Sequence, residues 1–505
     1  MPTSKATTPA RNESRSDRSF WVPACAALFA LWAVLAWRAG HQAITHDEAL
    51  VWHWCLGNDS VNPLSYASPN NHVVYTVLTW ASVGALGPSA FALRLPTLLG
   101  AAIYLVAALC LVRMWCKSRS CGFLMLGLLT TSPYVLDYLM AARGYGLALG
   151  FLFAGIALLE RDLRIPRHRH AWFAGVALGL SGASQITFSP AIAGVVLAYG
   201  FELFARNFDR DRLLRGLSFG FAVTATFGLV NLPLLHSRSG IVVALGPASW
   251  IEAFAQQARA HLDHASSSAL SASAGLWNLE AWQTPLGFAV PTLMGLLIWI
   301  AFRSHSSAGC APRPVGIALA LSVGTAIVLY TITDLRESST GYPRPRYTVW
   351  FGPLIFASLA AGIEGAGVRW HRRLCSFASL ALVLLFALQF QTYRLHDFPN
   401  DAGARELLAA AEAHAEKHGI EQPRIGMDSA YLQPALEFER QARSSSIAPI
   451  ERALVQDLAN FDYLVLHPNA DEEQLRAKAE IVTRSRYSGH WLVAIDGAGT
   501  AAEEE

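Results

Sequence analysis

Residues 20–37 read FWVPACAALFALWAVLAW, an uncharged apolar run, and shortly after it the chain turns to AITHDEALVWHW over residues 43–54. The first stretch fixes the solvent. An α-helix rises about 1.5 Å per residue, so the roughly 30 Å hydrocarbon core of a bilayer takes about 20 mostly apolar residues, and about 17 suffice at the short end. Comparable runs recur at 91–112, 121–136, 144–159, 216–235, 286–302, 315–333, 347–363 and 374–390. Residues 171–205 are too long for one span and are interrupted at SGASQITFSP, which predicts two short helices joined by a tight polar turn. The sequence thus predicts an all-α polytopic membrane protein with about eleven transmembrane helices. The composition agrees: 53% apolar and 15% charged residues over 505 positions is too apolar for a soluble enzyme of this length.

Orientation follows from Lys and Arg, which concentrate in short cytoplasmic loops. With the tail 1–19 inside, the inner segments hold 20 Lys and Arg and the outer loops before residue 391 hold 7. That asymmetry also places NHVVYTVLTWASVGALG, residues 71–87, along the outer surface, because a crossing there would invert every later loop. The first outer loop, 38–90, therefore carries the acidic motif. The membrane region covers 20–390. From 391 to 505 the chain reads as an extracytoplasmic α/β domain, with RIGMDS, FDYLVLHP and WLVAI as buried strands and DAGARELLAAAEAHAEKHG as a helix ending at a glycine cap. The loop 236–284, with HASSSALSASAG, reads as mobile because of its small polar residues. No basic stripe with interleaved aromatics suggests nucleic acid. The seven cysteines form no zinc or disulfide pattern.

Asp47 and Glu48 have three readings on residue type alone. They suit a helix N-terminus, where Thr45 or Asp47 caps and Glu48 meets the helix dipole. A carboxylate at a partly dehydrated interface also suits a general base. Finally, His46, Asp47 and His53 offer metal ligands, although without the spacing of HExxH. Trp52 and Trp54 read as interfacial anchors. In MAARGYG, Arg143 and Tyr145 lie at the outer mouth of a span, and GYPRPRY adds Arg344, Arg346 and Tyr347 in the same layer. Arginine there either snorkels to headgroups or clamps an anion through its forked donors. Acids and arginines converging on one side are what displacement of a phosphate leaving group requires.

The order of these features resembles the GT-C glycosyltransferases that use lipid-phosphate sugars, specifically the family related to protein O-mannosyltransferases and the aminoarabinose transferase acting on lipid A. The resemblance runs from Asp47-Glu48 through SPNNHVVYTVL, LGPSAFALRLPTLLGA and AARGYGLAL to PRPRYTVWFGPL. It implies that Asp47 is the catalytic base and that Glu48 assists or orients the acceptor. Arg143, Tyr145, Arg344, Arg346 and Tyr347 would line the lipid-phosphate site, with Asn71 or His72 at the family's basic donor position. It further implies inverting transfer from a polyprenyl-phosphate sugar to a hydroxyl of a lipid, glycan or protein, with no nucleotide and no obligatory metal, on the non-cytoplasmic face; the short loops and Ala-rich composition point to a bacterial inner membrane. Two rivals are a transporter or flippase of a lipid-linked or anionic substrate and a non-catalytic relative that anchors an outer binding domain. Transporters keep ionisable groups near the bilayer midplane and often show repeated halves, and neither pattern is present in the sequence.

Overall fold

The computed structural model describes residues 13–55, 72–116, 119–204 and 209–235, single positions between 353 and 395, and 399–495 except 428–431, 454–459 and 471–478. The membrane part contains α1 (Glu13–His41), α2 (His46–Cys55), α3 (Val73–Leu86), α4 (Ala90–Trp115), α5 (Arg119–Thr130), α6 (Pro133–Tyr138), α7 (Tyr145–Arg164), α8 (His168–Ser184), α9 (Ser189–Phe204) and α10 (Arg210–Leu235). Among the described residues four segments are long and apolar enough to cross a membrane: Phe20–His41, Ala90–Trp115, Ile186–Leu203 and Arg210–Asn231.

Glycines bring the helices together. A Cβ at Gly100 of α4 would lie 2.5 Å from the Leu147 backbone nitrogen, and one at Gly150 of α7 would lie 2.4 Å from the Gly100 carbonyl oxygen. The α4 and α7 backbones therefore touch, as membrane helices do where small residues face each other. Gly175 and Gly179 bring α8 against α10 in the same way. The tight polar turn expected near residue 185 is present, as a single 3-10 turn over Ile186–Phe188 between α8 and α9.

The run 121–136 is not one span. Pro133 has no N–H and disfavours helical backbone before it, and Ser132 accordingly sits at φ −57°, ψ 118°. The chain breaks there into α5 and α6. Thr130 and Thr131 donate their hydroxyls back to the carbonyls of Leu126 and Gly127, at 2.7 and 2.8 Å. The runs 286–302 and 315–333 and the loop 236–284 lie outside the described residues, as do most positions of 347–363 and 8 of the 17 positions of 374–390.

Within the segment 71–87, Val73–Leu86 form α3, whose 14 residues are about 21 Å long and too short to cross a bilayer. Tyr75 and Ser82 donate to the Leu93 and Ala92 carbonyls, at 3.0 and 2.7 Å, and fix α3 on the start of α4. Val77, Leu78, Trp80 and Leu86 remain exposed, which suits a helix lying in an apolar interface.

The C-terminal part is a small α/β layer: α11 (Ala404–His418), β1 (Ile425–Met427), α12 (Gln433–Ala442), β2 (Glu451–Arg452), β3 (Tyr463–Leu466), β4 (Glu480–Arg484) and β5 (Trp491–Ala494). The sheet order is β2-β1-β3-β5-β4, parallel across β2, β1 and β3 and antiparallel across β3, β5 and β4. The three strands read from the sequence are the buried central ones. The edges β2 and β4 are more exposed and largely polar, so they lack the apolar run that marked the others. Helix α11 ends at Gly419, whose φ of +70° lets its N–H reach back to the last turn.

Helix α2 docks on this layer. Trp52 meets Phe438 of α12 edge to face, with centroids 5.6 Å apart, and donates its indole N–H to Gln441 Oε1 at 3.0 Å. Trp52 is therefore not a membrane-interface anchor. It is buried against the C-terminal layer, in one core with Ile44, Leu407 and Leu408.

Candidate functional site

The site begins with how THDE folds. Thr45 Oγ1 accepts the Glu48 backbone N–H at 3.2 Å, and Glu48 Oε2 accepts the Thr45 N–H at 2.7 Å. This reciprocal capping box starts α2. The Glu48 carboxylate takes three more bonds. Arg94 donates from Nε to Oε1 at 2.9 Å and from Nη2 to Oε2 at 2.7 Å, and the Ala142 backbone N–H donates to Oε1. Glu48 and Arg94 are both fully buried. Arg94 spends its other N–H groups on the Ala39, Gln42 and Ala43 carbonyls at 2.9–3.1 Å, so all five guanidinium donors are used. Burial pushes the Glu48 carboxyl up, but the Arg94 charge and these hydrogen bonds outweigh it and hold the pKa below the ordinary carboxylate value. The Glu48 oxygens are filled by four protein donors, and Glu48 joins the start of α2, α4 and the segment before α7.

Asp47, one step round the helix, faces elsewhere and keeps 14% of its side chain exposed. Its Oδ2 accepts from Arg143 Nη1, and its Oδ1 lies 3.5 Å from His46 Nε2. Arg143 is buried with its guanidinium 5.8 Å from the Tyr145 ring centre. Tyr145 in turn packs between Tyr138 and His72, with ring centroids 4.9 and 6.3 Å away. Gly144 makes this assembly possible. A Cβ there would fall 1.8 Å from the Ser184 carbonyl oxygen and 3.1 Å from His72 Cβ. The structure thus brings Asp47, His72, Arg143 and Tyr145 together, whereas Asn71, Arg344, Arg346 and Tyr347 lie outside the described residues.

Two participants were missed in the sequence. Arg94 had a signal, since a lone arginine in FALRLPTLLG is costly unless a partner waits for it. Asp401 had none, because it sits 355 positions from the residue it binds: its Oδ2 accepts both the His46 backbone N–H and, at 2.9 Å, His46 Nδ1. The metal alternative built on His46, Asp47 and His53 finds no support among the described residues, where no three His, Cys, Asp or Glu side chains are placed to hold an ion. Chemically, the arrangement offers a half-buried carboxylate paired with a guanidinium that an incoming anion can claim.

A bundle of apolar helices, four of them long and apolar enough to cross a membrane, with the acidic helix α2 resting on a small α/β layer, is the architecture of a polytopic membrane protein. The crystal structure of ArnT from Cupriavidus metallidurans in the apo state has the same fold, with a TM-score of 0.51 at 11% identity over 95% of this chain and 98% of that one. ArnT from the same organism bound to undecaprenyl phosphate aligns over 94% and 98% with a TM-score of 0.49 and 11% identity. No family model and no curated protein sequence matches the chain.

Proposed function

We propose that the chain is a membrane glycosyltransferase that moves a sugar from a polyprenyl-phosphate donor to an acceptor hydroxyl on the non-cytoplasmic face, with inversion. The observation that carries this reading is the Asp47–Arg143 ion pair, formed in a chain with the fold of ArnT. When the donor phosphate arrives, Arg143 exchanges Asp47 for the phosphate oxygens, and the freed carboxylate becomes the base. Asp47 takes the acceptor proton as the acceptor oxygen attacks the anomeric carbon. The carbon–oxygen bond to phosphate breaks on the opposite side, and its electron pair leaves with the lipid phosphate, where Arg143 stabilises the charge. Arg344, Arg346, Tyr347 and Asn71 or His72 complete the donor site in this reading, and Glu48 positions Asp47 without touching substrate. The acceptor is a lipid, glycan or protein hydroxyl, and a bacterial inner membrane is the setting. The steps need no nucleotide and route nothing through a metal.

The test uses purified wild type and Asp47→Asn in lipid nanodiscs. Each is given labelled undecaprenyl-phosphate mannose, glucose or aminoarabinose together with a bacterial membrane extract. Transfer by wild type and a loss of about 100-fold or more in Asp47→Asn is expected. Equal transfer by both removes Asp47 from the chemistry, and movement of lipid-linked sugar across the bilayer of sealed proteoliposomes, with no transfer in nanodiscs, establishes the flippase instead.

A further inference from the structure

Asp401 lies in the 3-10 turn Pro399–Gly403 that opens the C-terminal layer and is 3% exposed. It reaches the α2 N-terminus through two bonds from one residue, the His46 backbone N–H and His46 Nδ1, both at 2.9 Å. The other ring nitrogen, Nε2, faces Asp47 Oδ1 at 3.5 Å. A carboxylate on Nδ1 fixes the tautomer that leaves Nε2 with its lone pair, in the way a buried acid orients a catalytic imidazole. Backbone and ring are held by the same oxygen, so the imidazole cannot swing while Asp401 stays in place.

We propose that Asp401 is a positioning residue for the transfer step: it holds His46 so that Nε2 receives the proton that Asp47 collects from the acceptor hydroxyl. The inference rests on the glycosyltransferase reading given above. The proton leaves the acceptor oxygen for Asp47 as the acceptor–sugar bond forms and the sugar–phosphate bond breaks. It then passes to Nε2, and the imidazolium so formed is stabilised by the Asp401 carboxylate until solvent removes the proton. Asp47 is returned to its basic form, and no further reactant is needed. The charged groups around His46 are Asp401 and Asp47, with Arg143 behind Asp47 and the Arg405–Glu439 pair on the neighbouring helices α11 and α12. Burial and the Asp47 charge push the Asp401 carboxyl above the ordinary carboxylate value, against the His46 hydrogen bonds and charge, which hold it down. The arrangement also makes the C-terminal layer part of the site, since its first turn supplies the residue that orients the relay.

The experiment compares wild type, Asp401→Asn and Asp401→Ala as full-length proteins in nanodiscs. Asparagine keeps an acceptor for the His46 backbone N–H, so the fold is retained where alanine would loosen it, and a size-exclusion profile and melting midpoint check this. The titration of His46 is followed by deuterium exchange at its imidazole C2 position, which needs no substrate, and transfer is followed with the three labelled undecaprenyl-phosphate sugars. In Asp401→Asn the imidazolium loses its carboxylate, so the His46 midpoint and the acidic limb of the kcat–pH profile both move to lower pH. kcat falls about tenfold or more while KM for donor stays near the wild-type value. An unmoved His46 midpoint, or a wild-type kcat and pH profile in Asp401→Asn, overturns the proposal while wild-type transfer still upholds the enzyme reading. If wild type transfers none of the sugars, the enzyme reading falls and takes the relay with it.

Discussion

Glu48 and Arg94 form a two-bond ion pair with neither side chain exposed to solvent. Removing one partner of such a pair leaves an uncompensated buried charge, which costs about 3–5 kcal/mol. Glu48→Ala and Arg94→Ala are therefore expected to lower the melting midpoint of the detergent-solubilised protein severely or to prevent its accumulation. The pair also sets a pH dependence. Because the folded-state pKa of Glu48 is below its ordinary value of 4.5, the stabilisation is fully present above 4.5 and is lost as pH falls through the lower folded value. The gap in melting midpoint between wild type and Glu48→Gln should be constant near neutrality and narrow below about pH 4.5. A gap that widens on acidification would show that the buried carboxylate destabilises the fold.

Gly144 and Gly84 should respond oppositely to the same change. A methyl group at Gly144 meets the Ser184 carbonyl at 1.8 Å, and backbone on both sides must shift to admit it. Gly144→Ala is expected to displace Arg143 and Tyr145 and abolish transfer. Gly84 lies within α3 with open space around its Cβ direction, so Gly84→Ala should stabilise that helix by about 0.5–1 kcal/mol. Melting midpoints and transfer rates of the two variants decide the matter. A fully active Gly144→Ala would mean that the α8 end yields easily.

Much of this architecture could be read from the chain because apolar length and helix punctuation are local. The run 20–37, the break at SGASQITFSP, the strands in RIGMDS and FDYLVLHP, and the cap at Gly419 all announce themselves within a few residues. Pro133 was equally visible, yet its effect was lost inside an apolar run long enough to suggest one span. The site was half legible. Asp47, Arg143 and Tyr145 stand out as polar groups at span mouths, and the structure brings them together with His72. What Glu48 does was not legible, because the choice between facing substrate and facing Arg94 depends on which way one helix turn points in the folded protein. The Asp401–His46 contact joins residues 355 positions apart, and no pattern in either segment refers to the other.

Arg143 is expected to bind donor phosphate through its forked donors as well as its charge. Arg143→Ala should weaken binding of undecaprenyl phosphate by about 1–3 kcal/mol, measured in nanodiscs by titration. Arg143→Lys keeps the charge without the fork and should recover only part of that loss. Asp47→Asn should bind the lipid phosphate at least as well as wild type, because the group competing for Arg143 has lost its charge. Weaker binding by Asp47→Asn would contradict the exchange of partners on which the mechanism depends.

The junction between α2 and the C-terminal layer turns on Trp52. Its ring is buried against Phe438 and its N–H is bonded to Gln441. Truncation to alanine removes a large buried surface, worth about 3–5 kcal/mol in a core that cannot collapse around the gap. Phenylalanine at the same position keeps most of the packing and gives up one hydrogen bond, worth about 0.5–1.5 kcal/mol. Backbone amide exchange separates the two contributions. In Trp52→Ala the amides of α2 and α12 should exchange faster together, while those of α4 and α7 keep their wild-type protection, because the α4–α7 contact is made through Gly100 and Gly150 and not through Trp52. In Trp52→Phe the change should be small in both helices. Faster exchange in α2 with α12 untouched would mean that the layer is held mainly by Arg405, which donates to the His41 carbonyl at 2.8 Å, and by Asp401.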